Sequence, residues 1–130
     1  MKDAIVGVVL RGARFVAIRR GPEVVFPGYW APPSGRLEPG ETQSQAVVRE
    51  MAEELGLAVV PLAKIWECPT HDGRYTLHWW SARPVDDRAI VPQPGEVSEA
   101  RWVTGEEFLA LQPSFDADRE FILRILPGLL

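Results

Sequence analysis

The chain has 130 residues, of which 46% are hydrophobic and 25% charged, which is the composition of a soluble globular protein. That length suits one domain, so we expect a single domain over residues 1–130. The net charge of -4 gives no overall attraction to nucleic acid polymers or anionic membranes. Cys68 is the only cysteine, which excludes an intramolecular disulfide and favours a reducing, cytoplasmic location. The sequence shows no targeting segment.

Short-range patterns in the first third of the chain predict a hairpin and a helix. Residues 4–10 and 14–20 have the pattern of two strands joined at a turn that contains Gly12. A loop rich in glycine, proline and aromatic residues follows, up to residue 35. Thr42 and Gln45 have the spacing of a capping box, and Gly56 provides the left-handed residue that commonly closes a helix. We expect one apolar stripe along this helix, formed by Ala46, Val47, Val48, Met51, Ala52 and Leu55.

The rest of the chain alternates strands with short helices. Residues 57–68 form a predicted strand in which Pro61 indicates a sheet edge or a bulge. After a turn at Asp72 and Gly73, the predicted elements are a strand over 74–84, a proline-rich loop over 85–96, a strand over 99–105, a helix over 106–111 and a C-terminal helix stopped by Pro127 and Gly128. This mixture predicts an α/β layered sandwich.

Three carboxylates stand together at the end of the predicted central helix. Glu50, Glu53 and Glu54 have i, i+3 and i+4 spacing, so they project from one side of one turn, where the helix dipole disfavours negative charge. A solvated helix face is the simplest interpretation. It does not explain how the sequence offsets the repulsion among three carboxylates on one turn. A divalent cation would balance it, and ligands made only of oxygen suit Mg²⁺ or Mn²⁺ better than zinc.

The surrounding segment, residues 35–57, reads GRLEPGETQSQAVVREMAEELGL. It resembles, without a mismatch, the signature of the Nudix hydrolases. The resemblance implies a Nudix-type α/β/α sandwich with a mixed central sheet and a catalytic loop–helix–loop. It also implies Mg²⁺-dependent hydrolysis of the pyrophosphate linkage in a nucleoside diphosphate joined to another group.

The resemblance assigns roles to positions of the motif. The metal ligands would be the three glutamates, Glu50, Glu53 and Glu54, and the backbone carbonyl of Ser34. Arg49 would orient the glutamates, in agreement with its i, i+4 relation to Glu53. The supporting positions are Gly35, Glu41 and Gly56.

Hydrolysis also needs a general base within reach of the attacking water. Glu50 is our first candidate. Glu96 is the second, because in Nudix proteins the loop that enters the late strand often contributes a carboxylate to the site. Glu99 competes with Glu96, and a solvated loop charge is the alternative interpretation for both.

Substrate contacts are expected from the segment that precedes the motif. Alternation along a strand means that only one of Arg19 and Arg20 faces the site, and we favour Arg20 as a diphosphate ligand. Trp30, with Phe26 and Tyr29 nearby, offers an aromatic face for a nucleobase. Packing of Trp30 between the loop and the sheet is the alternative.

The short chain is most similar to the nucleoside-triphosphate pyrophosphatases of the family. Hydrolysis of ADP-ribose or nucleotide sugars and non-catalytic nucleotide sensing stay open as alternatives. A diphosphate isomerase would need a reactive cysteine, and the setting of Cys68 does not indicate one. The expected partner is a small-molecule nucleoside diphosphate derivative, with no nucleic acid polymer and no membrane, and a homodimer is compatible with the sequence.

Overall fold

Two strands that are far apart in the sequence form the centre of the sheet. In the computed structural model, which describes residues 2–130, β1 (Lys2–Arg11) pairs in parallel with β6 (Tyr75–Pro84). β5 (Val59–Pro69) pairs antiparallel with β6 and lies at the edge of the sheet. The pairing shifts register between Pro61 and Ala63, so both features predicted from Pro61, an edge and a bulge, are confirmed.

The other half of the sheet is built on β2 (Arg14–Arg20), which forms the predicted hairpin with β1 through Gly12 at φ 59°. β2 pairs antiparallel with β3 (Trp30–Ala31) on one side and with β7 (Val97–Val103) on the other. β4 (Ser34–Arg36) pairs antiparallel with the first half of β1. The two short strands β3 and β4 lie inside the segment that the sequence had indicated as loop. Parallel and antiparallel pairs together make a mixed seven-stranded sheet.

Helices cover both faces of this sheet. α1 (Gln43–Leu55) packs on one face, and α2 (Gly105–Leu109) and α3 (Asp116–Arg124) pack on the other. A side chain at Gly7 of β1 would lie 2.8 Å from the sulfur of Met51, so this glycine lets α1 approach the sheet closely. The arrangement is the predicted α/β/α sandwich. No helix within residues 2–130 has both the length and the apolar character needed to cross a membrane.

Both predicted ends of α1 are confirmed. The backbone N–H of Gln45 donates to the Thr42 hydroxyl (3.2 Å), and the Thr42 N–H donates to the Gln45 side chain (2.9 Å), which completes the capping box. Gly56 adopts the left-handed conformation at φ 64°. The predicted stripe is wrong at Val48, which is 41% exposed, and at Ala52, because the buried face runs through Glu54 instead.

The C-terminal helix ends earlier than predicted. α3 stops at Arg124, and Pro127 and Gly128 lie inside a 3₁₀ turn over Leu126–Leu129. Proline disfavours helical backbone at the preceding residue, so the break occurs before the proline itself. Trp79 and Trp80 face opposite sides of the sheet, as strand alternation predicted, and each packs in a different apolar cluster.

Candidate active site

Arg49 is the centre of an ion-pair network at the end of α1. Its guanidinium binds both oxygens of Glu41 (Nε–Oε2 2.7 Å, Nη2–Oε1 2.9 Å) and also donates to the carbonyl oxygen of Arg36 at 2.9 Å. The remaining nitrogen, Nη1, contacts Glu50 at 2.7 Å and Glu53 at 3.2 Å. A planar guanidinium can hold several carboxylates in fixed directions, which a lysine cannot do. The structure thus joins the predicted motif residues in one network.

The three glutamates have unequal surroundings. Glu53 is the most open, with a side chain that is 53% exposed, whereas that of Glu50 is 12% exposed. Glu54 is buried, with 8% exposure, and its Oε2 accepts no hydrogen bond from residues 2–130. An unpartnered buried carboxylate oxygen is unfavourable unless a ligand or proton satisfies it.

Burial and neighbouring charges alter the acidity of two of these groups. Burial, reinforced by the charges of Glu50 and Glu96, raises the pKa of Glu54 to about 8, while Arg20 and the backbone N–H of Ser34 act in the opposite direction. Burial also raises the pKa of Glu50, and its hydrogen bond from Arg49 opposes this effect. Several carboxylates that repel one another in a partly buried site favour a bound cation over a solvated face.

The donor set fits a hard divalent cation. Glu54 offers a free oxygen, and Ser34 lies against it through a backbone hydrogen bond. No group of three His, Cys, Asp or Glu side chains among the described residues already forms a metal cage. Arg49 contacts one oxygen of Glu50 and one oxygen of Glu53, and it does not contact the second oxygen of either carboxylate. All these donors are oxygens, as Mg²⁺ and Mn²⁺ prefer.

Glu96, which precedes β7, and Glu99, which lies in β7, have different surroundings. Glu96 is half-buried and close enough to raise the pKa values of both Glu50 and Glu54. Glu99 instead forms a salt bridge with Arg101 at 2.9 Å, and both side chains are more than 40% exposed. Of the two, Glu96 therefore lies with the motif glutamates.

Arg20 and Arg19 also differ in the way that strand alternation predicts. Arg19 is exposed, whereas Arg20 is partly buried and interacts electrostatically with both Glu54 and Asp118. Burial lowers the pKa of Arg20, and these two acids oppose that change. The Arg20 Nε donates to the carbonyl oxygen of Val25 at 2.7 Å, which ties the following loop to β2.

Asp118 was not identified by the sequence analysis. It is buried in the first turn of α3, and its Oδ2 has no hydrogen-bond partner among residues 2–130. Burial raises the pKa of Asp118 to about 7, and Arg20 opposes this effect. A sequence signal for its burial does exist: Asp118 lies three residues after Phe115 and three before Phe121, on the apolar side of a helix.

Trp30 lies in the core. It is 6% exposed and packs in the apolar cluster below α2 and α3, with the Arg101 guanidinium 4.8 Å from its ring centroid. This favours the packing alternative for Trp30. The half-buried aromatic residues near the site are Tyr29 and Phe26, whose rings lie 5.5 Å apart, and Phe26 has an unusual positive φ of 53°.

Comparison with known proteins gives one consistent family. A model of the NUDIX domain matches residues 1–125. The chain is 33% identical over 127 residues to the NAD-capped RNA hydrolase NudC of Deinococcus radiodurans, which covers 92% of this chain and 43% of that protein. It is 39% identical over 59 residues to the putative 8-oxo-dGTP diphosphatase 2 of Mycobacterium tuberculosis, which covers 45% of this chain and 42% of that one.

A solved structure agrees at the level of the fold. The crystal structure of a NUDIX hydrolase from Nitrosomonas europaea matches with a TM-score of 0.84 at 18% identity, over 98% of this chain and 70% of that one. This chain spans less than half the length of the Deinococcus radiodurans relative. The NUDIX model nevertheless covers nearly the whole chain and includes every residue of the Arg49 network. The chain belongs to the Nudix hydrolase family.

Proposed function

We propose that this protein hydrolyses the pyrophosphate linkage of a nucleoside diphosphate joined to another group, in the cytoplasm and with Mg²⁺ or Mn²⁺. The favoured substrate is a nucleoside triphosphate or a related nucleotide. One observation carries this proposal: the buried, unpartnered oxygen of Glu54 lies close enough to the carboxylate of Glu50 for their charges to repel, and Arg49 holds Glu50 beside Glu53. Such a site gains most from a divalent cation, and Mg²⁺ is commonly shared between carboxylates and substrate phosphates.

Each residue then has a chemical task. A bound divalent cation neutralises charge on the pyrophosphate and makes an attacking water more acidic. Glu50, Glu53, Glu54 and the Ser34 carbonyl would hold that cation. Arg49 keeps Glu50 and Glu53 in fixed directions while Glu41 holds Arg49. Gly35 and Gly56 shape the backbone on either side.

Proton transfer and substrate contact complete the proposal. Glu50 is the first candidate for the base that accepts a proton from the attacking water, and Glu96 is the second. Arg20 is partly buried and its charge attracts that of Glu54, so it would be available to donate to a phosphate oxygen near the site. Arg19 would act only from the surface, and Trp30 would support the site by packing.

Two relatives support different substrates. The similarity to a putative 8-oxo-dGTP diphosphatase supports a nucleoside triphosphate, because its 59 residues are matched at 39% identity. The longer match to an NAD-capped RNA hydrolase supports a dinucleotide pyrophosphate as the second candidate. Both classes contain the same phosphoanhydride and place the same demands on Glu50, Glu53 and Glu54.

A substrate panel tests the proposal. Nucleoside triphosphates, 8-oxo-dGTP, NAD, ADP-ribose and nucleotide sugars would be incubated with Mg²⁺, and the released phosphate and nucleoside monophosphate measured. In Glu53→Gln we expect at least about a hundredfold loss of turnover with the fold intact. Glu106→Gln, an exposed carboxylate on α2, is the matched control and should retain full activity.

The panel also separates the alternatives. Tight nucleotide binding without turnover would indicate a sensing module, and rearrangement without water uptake would indicate an isomerase. Hydrolysis in ¹⁸O-labelled water shows which phosphorus receives the new oxygen. Unchanged turnover in Glu53→Gln would refute the assignment of this site.

A further inference from the structure

A cavity of about 530 Å³ opens at one end of the sheet. Among residues 2–130, its lining comprises three cationic residues and one aromatic residue, Lys2, Arg36, Arg74 and Tyr75. Within residues 2–130, none of the three cations takes part in a salt bridge. The cavity therefore has a local positive charge that is unlike the net charge of the chain.

The register of three neighbouring strands brings these side chains together. Arg36 of β4 lies opposite Ala4 of β1, and Lys2 of β1 lies opposite Tyr75 of β6. Alternate residues of a strand share a face, so Lys2 and Ala4 point to the same side of the sheet. The Arg36 guanidinium lies 5.6 Å from the centroid of the Tyr75 ring, within cation–π range.

Two acidic residues, Asp3 and Asp72, are sequence neighbours of the cationic residues of the cavity or lie two positions from them. Asp72 accepts a hydrogen bond from the backbone N–H of Arg74 (3.0 Å) and another from a threonine hydroxyl. Asp3 alternates with Lys2, so it faces the other side of the sheet, where it contacts His78 at 2.8 Å. Asp72 also attracts the charge of Arg74, but neither acid forms a salt bridge with a cation of the cavity, so these side chains can still contact an external anion.

The cavity adjoins the candidate active site through β4. Gly35 faces Glu50, and the next residue, Arg36, turns its side chain to the cavity. The carbonyl oxygen of Arg36 accepts a hydrogen bond from Arg49. A chain attached to a nucleotide near Glu50 would reach the cavity by crossing this three-residue strand.

We propose that the cavity binds single-stranded nucleic acid. The three cations contact neighbouring phosphates, and Tyr75 stacks on a base. Proteins that bind single strands without reading their sequence combine a cationic groove with aromatic side chains on which bases stack, and half-buried Tyr75 is the aromatic side chain of this cavity. The idea that the bound nucleic acid is part of the substrate rests on the proposed function. Binding of single-stranded nucleic acid to the cavity does not depend on that function. This proposal replaces the expectation, drawn from net charge alone, that no nucleic acid polymer is a partner.

The test uses a strand that cannot be hydrolysed at a phosphoanhydride. An eight-residue oligouridylate with a 5′-hydroxyl and a 3′-fluorophore is titrated with the protein in EDTA, and fluorescence anisotropy is recorded at several salt concentrations. Three phosphate contacts predict a slope of about -2 for the logarithm of the binding constant against that of salt, since each contact on a single strand contributes about -0.7.

Matched variants locate the binding. The triple variant Lys2→Gln, Arg36→Gln, Arg74→Gln should lose both the binding and the salt dependence. The control Arg83→Gln, Arg88→Gln, Arg124→Gln removes the same charge from exposed positions elsewhere and should bind as the wild type does. If the first triple variant does not fold, Arg74→Gln alone should reduce the slope by about 0.7.

The stacking residue is tested separately. Tyr75→Leu should weaken binding about five- to 150-fold, the range expected for loss of one base–aromatic stack, and Tyr75→Phe should preserve it. Three results would overturn the proposal: no binding by the wild type, equal loss in both triple variants, or displacement by inorganic phosphate at constant ionic strength, which would show a simple anion site. The substrate panel fails or succeeds independently, because it measures turnover and not this affinity.

Discussion

Glu50 of α1 occupies the space that a side chain at position 35 would need. A Cβ atom built on Gly35 would overlap the carboxylate of Glu50, and all three of its nearest neighbours belong to that group. Gly35 has no positive φ, so its role is to provide room. β4 and α1 can therefore approach closely, which brings the backbone of Ser34 beside Glu54.

The first prediction follows from this contact. Gly35→Ala should displace the Glu50 carboxylate and lower turnover by at least about tenfold, with a loss of about 1–3 kcal/mol in the free energy of unfolding from overpacking. Turnover and urea unfolding would be compared with those of Gly128→Ala, where a new Cβ meets nothing within 4 Å. Full activity in Gly35→Ala would show that Glu50 does not need its present position.

Arg49→Lys tests the guanidinium network. A lysine keeps the charge but cannot bind both oxygens of Glu41 while also contacting Glu50 and Glu53. We expect at least about a tenfold decrease in kcat together with a lower Tm. Arg101→Lys, which changes an exposed ion pair with Glu99, serves as the control because such pairs contribute little to stability. Equal behaviour of the two variants would mean that the network is dispensable.

Separate substitutions of Glu96 and Glu99 distinguish the roles of these two residues. Glu96 interacts with Glu50 and Glu54, whereas Glu99 is paired with Arg101 at the surface. Glu96→Gln should lower kcat by about 10²–10⁴-fold if it is the base, and by less if Glu50 has that role. Glu99→Gln should leave kcat unchanged. The pH dependence of kcat in both variants supplies the measurement, and a larger effect at Glu99 would reverse the assignment.

Metal binding should depend on pH through Glu54. Its pKa of about 8 means that at neutral pH a cation must displace a proton, so affinity for Mg²⁺ should rise from pH 6 to pH 8 and fall on acidification. The rise of Tm on adding Mg²⁺ reports this affinity. We expect a larger rise at pH 8 than at pH 6 in the wild type and a much smaller one in Glu54→Gln. A shift that is independent of both pH and Glu54 would place the cation elsewhere.

Asp118 should lower the free energy of unfolding as the pH rises, because burial raises the pKa of its carboxyl group. Burial raises its pKa from 3.8 to about 7, so its favourable contribution is complete below the unfolded value and disappears as pH rises through the folded value. Asp118→Asn should therefore gain stability relative to the wild type as the pH rises from 5 to 8, by about 3 kcal/mol. Urea unfolding at the two pH values measures this gain. Asp116→Asn, exposed in the same helical turn, should show no such trend.

The parts of the fold that depend only on residues close together in the sequence could be predicted. The hairpin at Gly12, the capping box at Thr42 and the left-handed Gly56 follow from conformational preferences that act over a few residues. Helical periodicity was a poorer guide to which side of α1 is buried. Val48 and Ala52 are apolar but face solvent, because α1 contacts the sheet along a narrower strip that includes Glu54.

The site was predictable as a set of motif positions but not as an electrostatic arrangement. Spacing alone placed Glu50, Glu53 and Glu54 on one turn, yet only the packing of α1 makes Glu54 buried and leaves Glu53 open. Asp118 joins Arg20 through tertiary contacts that span almost a hundred residues of sequence. Local pattern cannot specify such a partner, and for the same reason it left both stacking and packing open for Trp30.

The parallel pairing of β1 with β6 has a consequence for synthesis of the protein. Lys2 pairs with Tyr75 and Val9 pairs with Ala82, so each residue of β1 from Lys2 to Val9 pairs with a residue of β6 that lies more than seventy positions later in the chain. During translation, the apolar side chains of this strand leave the ribosome long before β6 exists to pair with it. Strand pairing between residues far apart in sequence is also slow to form. Truncated chains that stop before residue 84 should consequently aggregate or recruit chaperones.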